Sequence, residues 1–233
     1  MFSYTINNPN NFVIRNDYFI IPFGHRCSSA LACKYANIRN FSLPFDWGRP
    51  FFPGTIQKIL ENNFIGFTDF TYSDSGVTTN NNYNFNSIHF DSNIVEALKK
   101  RIDRFNDIMN QTKKIYFIYT NEDYLYDNSF RQDEFNDNIF NEMLELEKFI
   151  KNKYINIDYN ILYFNFKHHN IPTNSNIYNI VLHTTNLYDE HDGAPFGELR
   201  IFCGKILAEL FNSNLNIGHD GDIFDEPQTN TIL

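Results

Sequence analysis

The apolar run Tyr18-Phe19-Ile20-Ile21-Pro22-Phe23 closes on Gly24-His25-Arg26-Cys27-Ser28-Ser29-Ala30, and this junction constrains the fold most. The run reads as a strand and Gly24 opens a tight turn. From Ser28 the chain reads as a helix, with Ser28 or Cys27 near its cap. A strand feeding a helix is the repeating unit of an α/β domain. The junction also sets a cysteine at the first turn of that helix. Backbone N–H groups there stabilise a thiolate and lower a pKa that otherwise sits near ~8.5. The same groups would stabilise an oxyanion if the thiolate attacked a carbonyl.

The rest of the chain extends this pattern. Residues 12–23 form the first strand and Ser28 to Asn37 the first helix. Pro44, Pro50 and Pro53 keep the next stretch out of regular helix, and Gly54 to Asn62 reads as a short helix. Residues 67–87, rich in Thr, Ser, Asp and Asn, read as a hairpin or irregular excursion. A strand over 83–90 would deliver His89. Ile94, Leu98, Ile102, Phe105 and Met109 follow helical spacing between Asn93 and Asn110. Lys114–Thr120 reads as a buried strand, and Ile139, Phe140, Met143, Leu144, Glu147 and Ile150 mark another helix. Ile157–Phe166 and Ile177–His183 are further strands, and Phe196–Phe211 is the last helix. The expected class is α/β (or α+β): one domain over 12–212 with a central sheet flanked by helices. A polar tail or edge is expected at 1–11 and a polar tail at 213–233.

Composition narrows the function classes. The chain has 233 residues, 42% hydrophobic and 17% aromatic, enough for a sizeable core. Phe, Tyr, Ile and Asn share AT-rich codons, and Asn reaches roughly one residue in seven. This bias points to an AT-rich genome, such as a giant virus or an AT-rich protist. The net charge of −9 argues against a generic nucleic-acid binder. No run of ~18 apolar residues suggests a membrane span, and Met1-Phe2-Ser3-Tyr4-Thr5 lacks a signal-peptide profile. Three cysteines without framework spacing fit free thiols in a reducing compartment. A cytoplasmic location is expected, or a virion if the source is viral.

A cysteine nucleophile needs a base and often a third group that orients the base. His89, beside Asp91, precedes the helix over 93–110. His183 closes a strand, and His191 lies in the charged loop Asp189-Glu190-His191-Asp192-Gly193. His168 and His169 read as a solvated turn, and His25 diverges from its neighbour Cys27. Cys33 and Cys203 read as packing residues. Asp46, beside the single tryptophan Trp47, could bond local backbone or Arg39, or orient the base. Lys99-Lys100-Arg101 with Arg104 reads as the solvated face of a helix. No two-histidine helical spacing, CxxC pair, calcium loop or phosphate-cradling loop is present, so no metal or cofactor is expected.

These residues resemble the papain-like cysteine peptidases of bacteria and giant viruses. That family has a strand ending in Gly-x-x-Cys, a short helix, an Arg and a Pro-Phe-Asp-Trp segment. A His-Asp-Phe segment, an Arg-Arg-Ile-x-Arg-Phe helix and an apolar strand follow. Here the matching residues are Gly24, Cys27, Arg39, Pro44-Phe45-Asp46-Trp47, His89-Phe90-Asp91, Lys100-Arg101-Ile102-Asp103-Arg104-Phe105 and Ile115-Tyr116-Phe117-Ile118. The order Phe90-Asp91 departs from the family's Asp-Phe, and the strand ends in Tyr119-Thr120 where the family has Arg. The resemblance implies Cys27 as nucleophile and His89 as base, cleaving an amide or isopeptide bond in a peptide. Asp46 or Asp91 would orient the imidazole.

Two other readings stay open. The strand–Gly-x-x-Cys–helix order also resembles SGNH-type esterases and glycan acyltransferases, with Cys27 in place of their serine. An acylated glycan is then the substrate, His191 the base with Asp189, and Asn121 part of the oxyanion hole. A non-catalytic virion or interaction protein on the same scaffold is the third. The sequence leaves oligomeric state undetermined.

Overall fold

A computed structural model describes residues 2–8, 10, 12–24, 27–72, 78–87, 94–121, 133–184 and 195–217. In chain order the elements are β1 (Phe2–Asn7), β2 (Tyr18–Gly24), α1 (Ser28–Tyr35), β3 (Gly48–Arg49), α2 (Pro53–Glu61), β4 (Phe70–Tyr72), β5 (Thr78–Asn80), β6 (Phe85–Ser87), α3 (Ile94–Met109), β7 (Lys114–Thr120), α4 (Asp133–Lys153), β8 (Tyr159–Asn165), β9 (Ile177–Thr184) and α5 (Pro195–Leu210). The main sheet runs β1-β9-β8-β7-β2. Strands β2, β7, β8 and β9 are parallel, and β1 is antiparallel to β9. A second sheet, β3-β6-β5-β4, is antiparallel. The expected α/β domain is present.

Both faces of the main sheet are covered, which is why β7 and β8 are buried at every residue and mostly apolar rather than alternating. Phe19, Ile21, Phe23, Ile115, Phe117, Tyr159 and Ile161 face α2, α3 and α4. Ile20, Ile118, Leu162, Phe164 and Ile180 face α1 and α5. Pro22 has no N–H to give a second neighbour, and β2 is an edge strand where none is needed. The segment after α1 wraps that edge. Phe45 meets Phe23 at 5.2 Å on one face, while Trp47 packs on Leu31 and Tyr35 of α1 on the other. The edge is thereby shielded from pairing with another chain.

Of the two expectations for the N-terminal residues, 2–7 meet that of an edge rather than a tail. Phe2–Asn7 pair with β9 in register from Phe2↔Thr184 to Asn7↔Asn179. Phe2, Tyr4 and Ile6 alternate with Ser3, Thr5 and Asn7, a period-two pattern that the asparagines following it obscure. At the other end, Ser213 Oγ donates to the Ala36 carbonyl (partners very close), and Asn216 N–H donates to the Tyr35 carbonyl at 2.7 Å. Residues 213–217 therefore lie on α1. Residues 218–233 are outside the described set.

Asparagine does work in this chain that glycine usually does. Asn37, Asn63 and Asn212 follow α1, α2 and α5 with φ of 54°, 49° and 51°. Each closes a six-to-one C-terminal turn, through Ile38 N–H to Cys33 O, Phe64 N–H to Ile59 O and Ser213 N–H to Ala208 O. The β8-to-β9 connection uses the same resource. Residues 166–176 contain no helix, so their backbone groups need side-chain partners. Asn179 donates to the Lys167 carbonyl at 3.2 Å, Asn7 to the His169 carbonyl at 2.7 Å, and Glu147 accepts the Asn176 N–H.

Candidate active site

The β2-to-α1 junction is locked by one buried hydroxyl. Ser29 Oγ donates to the Phe23 carbonyl at 2.6 Å and accepts the Thr120 N–H at 3.0 Å. Its proton is thereby committed, so the Thr120 hydroxyl is the donor across the 2.9 Å between the two oxygens. This cluster ties the carboxyl ends of β2 and β7 to the first turn of α1. In parallel α/β sheets, ligands bind outside the carboxyl ends of the strands.

Cys27 sits at that end as the N-cap of α1, with helical angles (φ −64°, ψ −5°). Its carbonyl accepts the Leu31 N–H at 2.9 Å, and its own side chain makes no capping hydrogen bond to the first turn. The residue is partly exposed. It packs against Leu31, Tyr35 and Trp47, where Ile201 of α5 also packs. Ser28, the next residue, is buried and accepts the Arg200 Nε–H at 2.9 Å. Cys33 and Cys203 are fully buried in the layer between α1, α5 and the sheet. Burial pushes the Cys33 thiol well up, and the Asp46 carboxylate adds to the effect.

Asp46 is buried and engaged. Its Oδ2 accepts Arg39 Nη2 at 2.6 Å and the Leu43 N–H at 2.8 Å. Arg39 Nη2 also donates to Ser42 Oγ at 2.9 Å, and its guanidinium lies 5.3 Å from the Trp47 ring centroid. The pair fixes the turn that wraps β2 and presents Trp47 to α1. The basic helix face read as solvated is only partly so. Lys99 and Lys100 are exposed, yet Arg101 is buried on the α3 face that carries Leu98 and Phe105. Arg104 Nη1 donates to the Ser42 carbonyl at 2.8 Å, bracing the same turn. Spacing explains the difference, because 94, 98, 101 and 105 share one helix face.

His89, Asp91, His191 and Asp189 lie outside the described residues, as does His25. Asn121 is buried at the end of β7, its N–H donating to the Phe164 carbonyl at 2.9 Å. His183 is exposed, with Nε2 3.0 Å from Thr5 Oγ1. His168 is exposed, but His169 is not part of a solvated turn. Its ring stacks on Phe140 at 4.0 Å, and Nδ1 lies 3.8 Å from Asp137 Oδ1. Burial lowers its pKa to about 4 against the opposing pull of Asp137. His169 belongs to the α4 face of the sheet, whereas Cys27 begins the helix on the opposite face.

Sequence reading missed Arg200, which carried no motif, and gave Ser29 no role within the junction. Arg101 was named in the family-like helix, but its burial was hidden in a run of basic residues.

The fold and junction define an α/β protein with a cysteine at a strand-to-helix turn. Residues 18–84 match a family model described as "Putative papain-like cysteine peptidase". The resemblance carried by Gly24, Cys27, Arg39 and Pro44–Trp47 is thus shown over that segment, which ends before His89. No curated protein and no solved structure matches the chain. No helix among the described residues is long and apolar enough to cross a membrane.

Proposed function

We propose that this protein is a papain-like thiol hydrolase that cleaves an amide or isopeptide bond in a peptide. The observation that carries this reading is the partly exposed Cys27 at the N-cap of α1, inside the segment that matches the peptidase family. Cys27 Sγ, deprotonated by His89, attacks the carbonyl carbon. The oxyanion is held by backbone N–H groups of the first α1 turn. As the C–N bond breaks, His89 returns the proton to the leaving amine. Water, deprotonated by His89, then releases the acyl group and restores the thiol. Asp46 is already bonded to Arg39 and the Leu43 N–H, so Asp91 is the better-supported partner for the imidazole. Three free cysteines support a reducing, intracellular setting.

A second reading has an observation of its own. Four parallel strands with helices on both faces, and Asn121 directly after β7, the strand beside β2, favour an esterase or acyltransferase arrangement with His191 as base and Asp189 assisting.

The deciding experiment compares Cys27→Ala, His89→Ala and His191→Ala on a peptide library and on O-acetylated glycans. Peptide turnover abolished by the first two supports the peptidase. Glycan deacetylation lost in Cys27→Ala and His191→Ala supports the alternative. Wild-type inactivity on both, with slow labelling of Cys27, makes the chain a non-catalytic interaction protein.

A further inference from the structure

We propose that Arg200 of α5 is a positioning residue that holds the Cys27 thiol in its ionised form. The inference rests on the hydrolase reading and adds a group to it. Arg200 Nε donates to Ser28 Oγ at 2.9 Å, and Ser28 is buried directly after Cys27. A guanidinium is thereby anchored to the residue after Cys27, at the helix end where the backbone N–H groups already favour negative charge. Burial of Ser28 keeps water from screening this cation fully.

The placement is mechanically fixed. Ile201, the next residue, packs on the Leu31, Tyr35 and Trp47 cluster against which Cys27 also lies. One turn later, Gly204 brings α5 so close to α1 that an added Cβ would stand 2.9 Å from Tyr35 Cβ and 3.2 Å from the Ala32 carbonyl oxygen.

Among the described residues, the other charges near this arrangement do not supply the same effect. Lys34 lies at the far end of α1, and Glu198 and Lys205 of α5 are exposed. The Arg39–Asp46 pair acts on Cys33 farther along the helix, its two charges opposing each other. At the end of β7, Thr120 and Asn121 are uncharged.

The test is the pH dependence of iodoacetamide alkylation of Cys27 in the full chain, resolved by peptide mass spectrometry. The thiolate sulfur displaces iodide, so the rate follows the ionised fraction. Wild-type Cys27 is expected to show an inflection below the ordinary thiol value. Arg200→Gln should raise it by about half to one pH unit, whereas Arg200→Lys, which keeps the charge, should stay near wild type. Added salt should raise the wild-type inflection more than that of Arg200→Gln, in which only the helix N-terminus is left to screen. A depressed wild-type inflection that is unchanged in a folded Arg200→Gln overturns the role of Arg200 alone. If that variant does not fold, a wild-type inflection indifferent to salt overturns it. A wild-type inflection at the ordinary thiol value overturns the hydrolase reading as well.

Discussion

Arg39 and Asp46 form a 2.6 Å ion pair whose side chains are 5% and 0% exposed. Removing one partner of such a pair strands the other charge in the interior, whereas replacing both with apolar groups need not. Asp46→Asn is expected to lower unfolding stability by about 3–5 kcal/mol, and Asp46→Leu with Arg39→Met to recover much of that loss. Urea denaturation of the single and double variants measures both. A single-variant cost below about 1 kcal/mol would deny the pair its structural role.

Ser29 makes the bonds that fasten α1 to β2 and β7. Ser29→Ala leaves the buried Thr120 N–H without its acceptor and should cost about 1–3 kcal/mol. The first α1 turn should loosen as well, so alkylation of Cys27 should change rate at conditions where the variant remains folded. An unaltered rate would show that the lock does not reach the thiol.

Gly204 stands where α5 meets α1, and the nearest atoms are another side chain's Cβ and a backbone oxygen. Neither can swing aside as a long side chain would. Gly204→Ala should destabilise by about 1–3 kcal/mol through helix displacement. Thermal unfolding tests this, and a rise in Tm would refute it, since Ala is otherwise the better helix former.

His169 has a folded-state pKa of about 4 because burial disfavours its cation. The unfolded chain binds a proton more readily, near ~6.5. Below ~6.5 the unfolded state therefore gains protons first, and stability falls as pH drops towards 4. Above ~6.5 both states are neutral and the contribution is complete. Urea midpoints at pH 7, 5.5 and 4.5 should fall more steeply for wild type than for His169→Asn. Parallel curves would mean that His169 ionises freely in the folded protein.

Much of the architecture was readable because strand burial and helical periodicity are local signals. Lys114–Thr120 was bounded as observed, and the helices near 54–62, 93–110 and 196–211 differ from the structure by about a residue at each end. The first strand was drawn too long, since 12–17 approach β2 without joining the ladder. β1 escaped because its partner, β9, lies at the opposite end of the chain. His169 looked polar and turn-like, and only the stacking on Phe140 removes it from solvent. Within the site, Cys27, Arg39 and Asp46 were legible as a motif. Arg200 was not, because its tie to Ser28 spans most of the chain.

The segment that matches the peptidase family, residues 18–84, contains a single strand of the main sheet. Among the described residues, that strand's one ladder partner begins at Lys114, and the helix that backs α1 begins at Pro195. The recognisable piece is therefore not a portable module. Grafted elsewhere or excised, it would bring the thiol but neither the neighbour that aligns its turn nor the helix that seats it. An exchange that kept the β2–α1 junction intact would have to carry β7 and α5 with it.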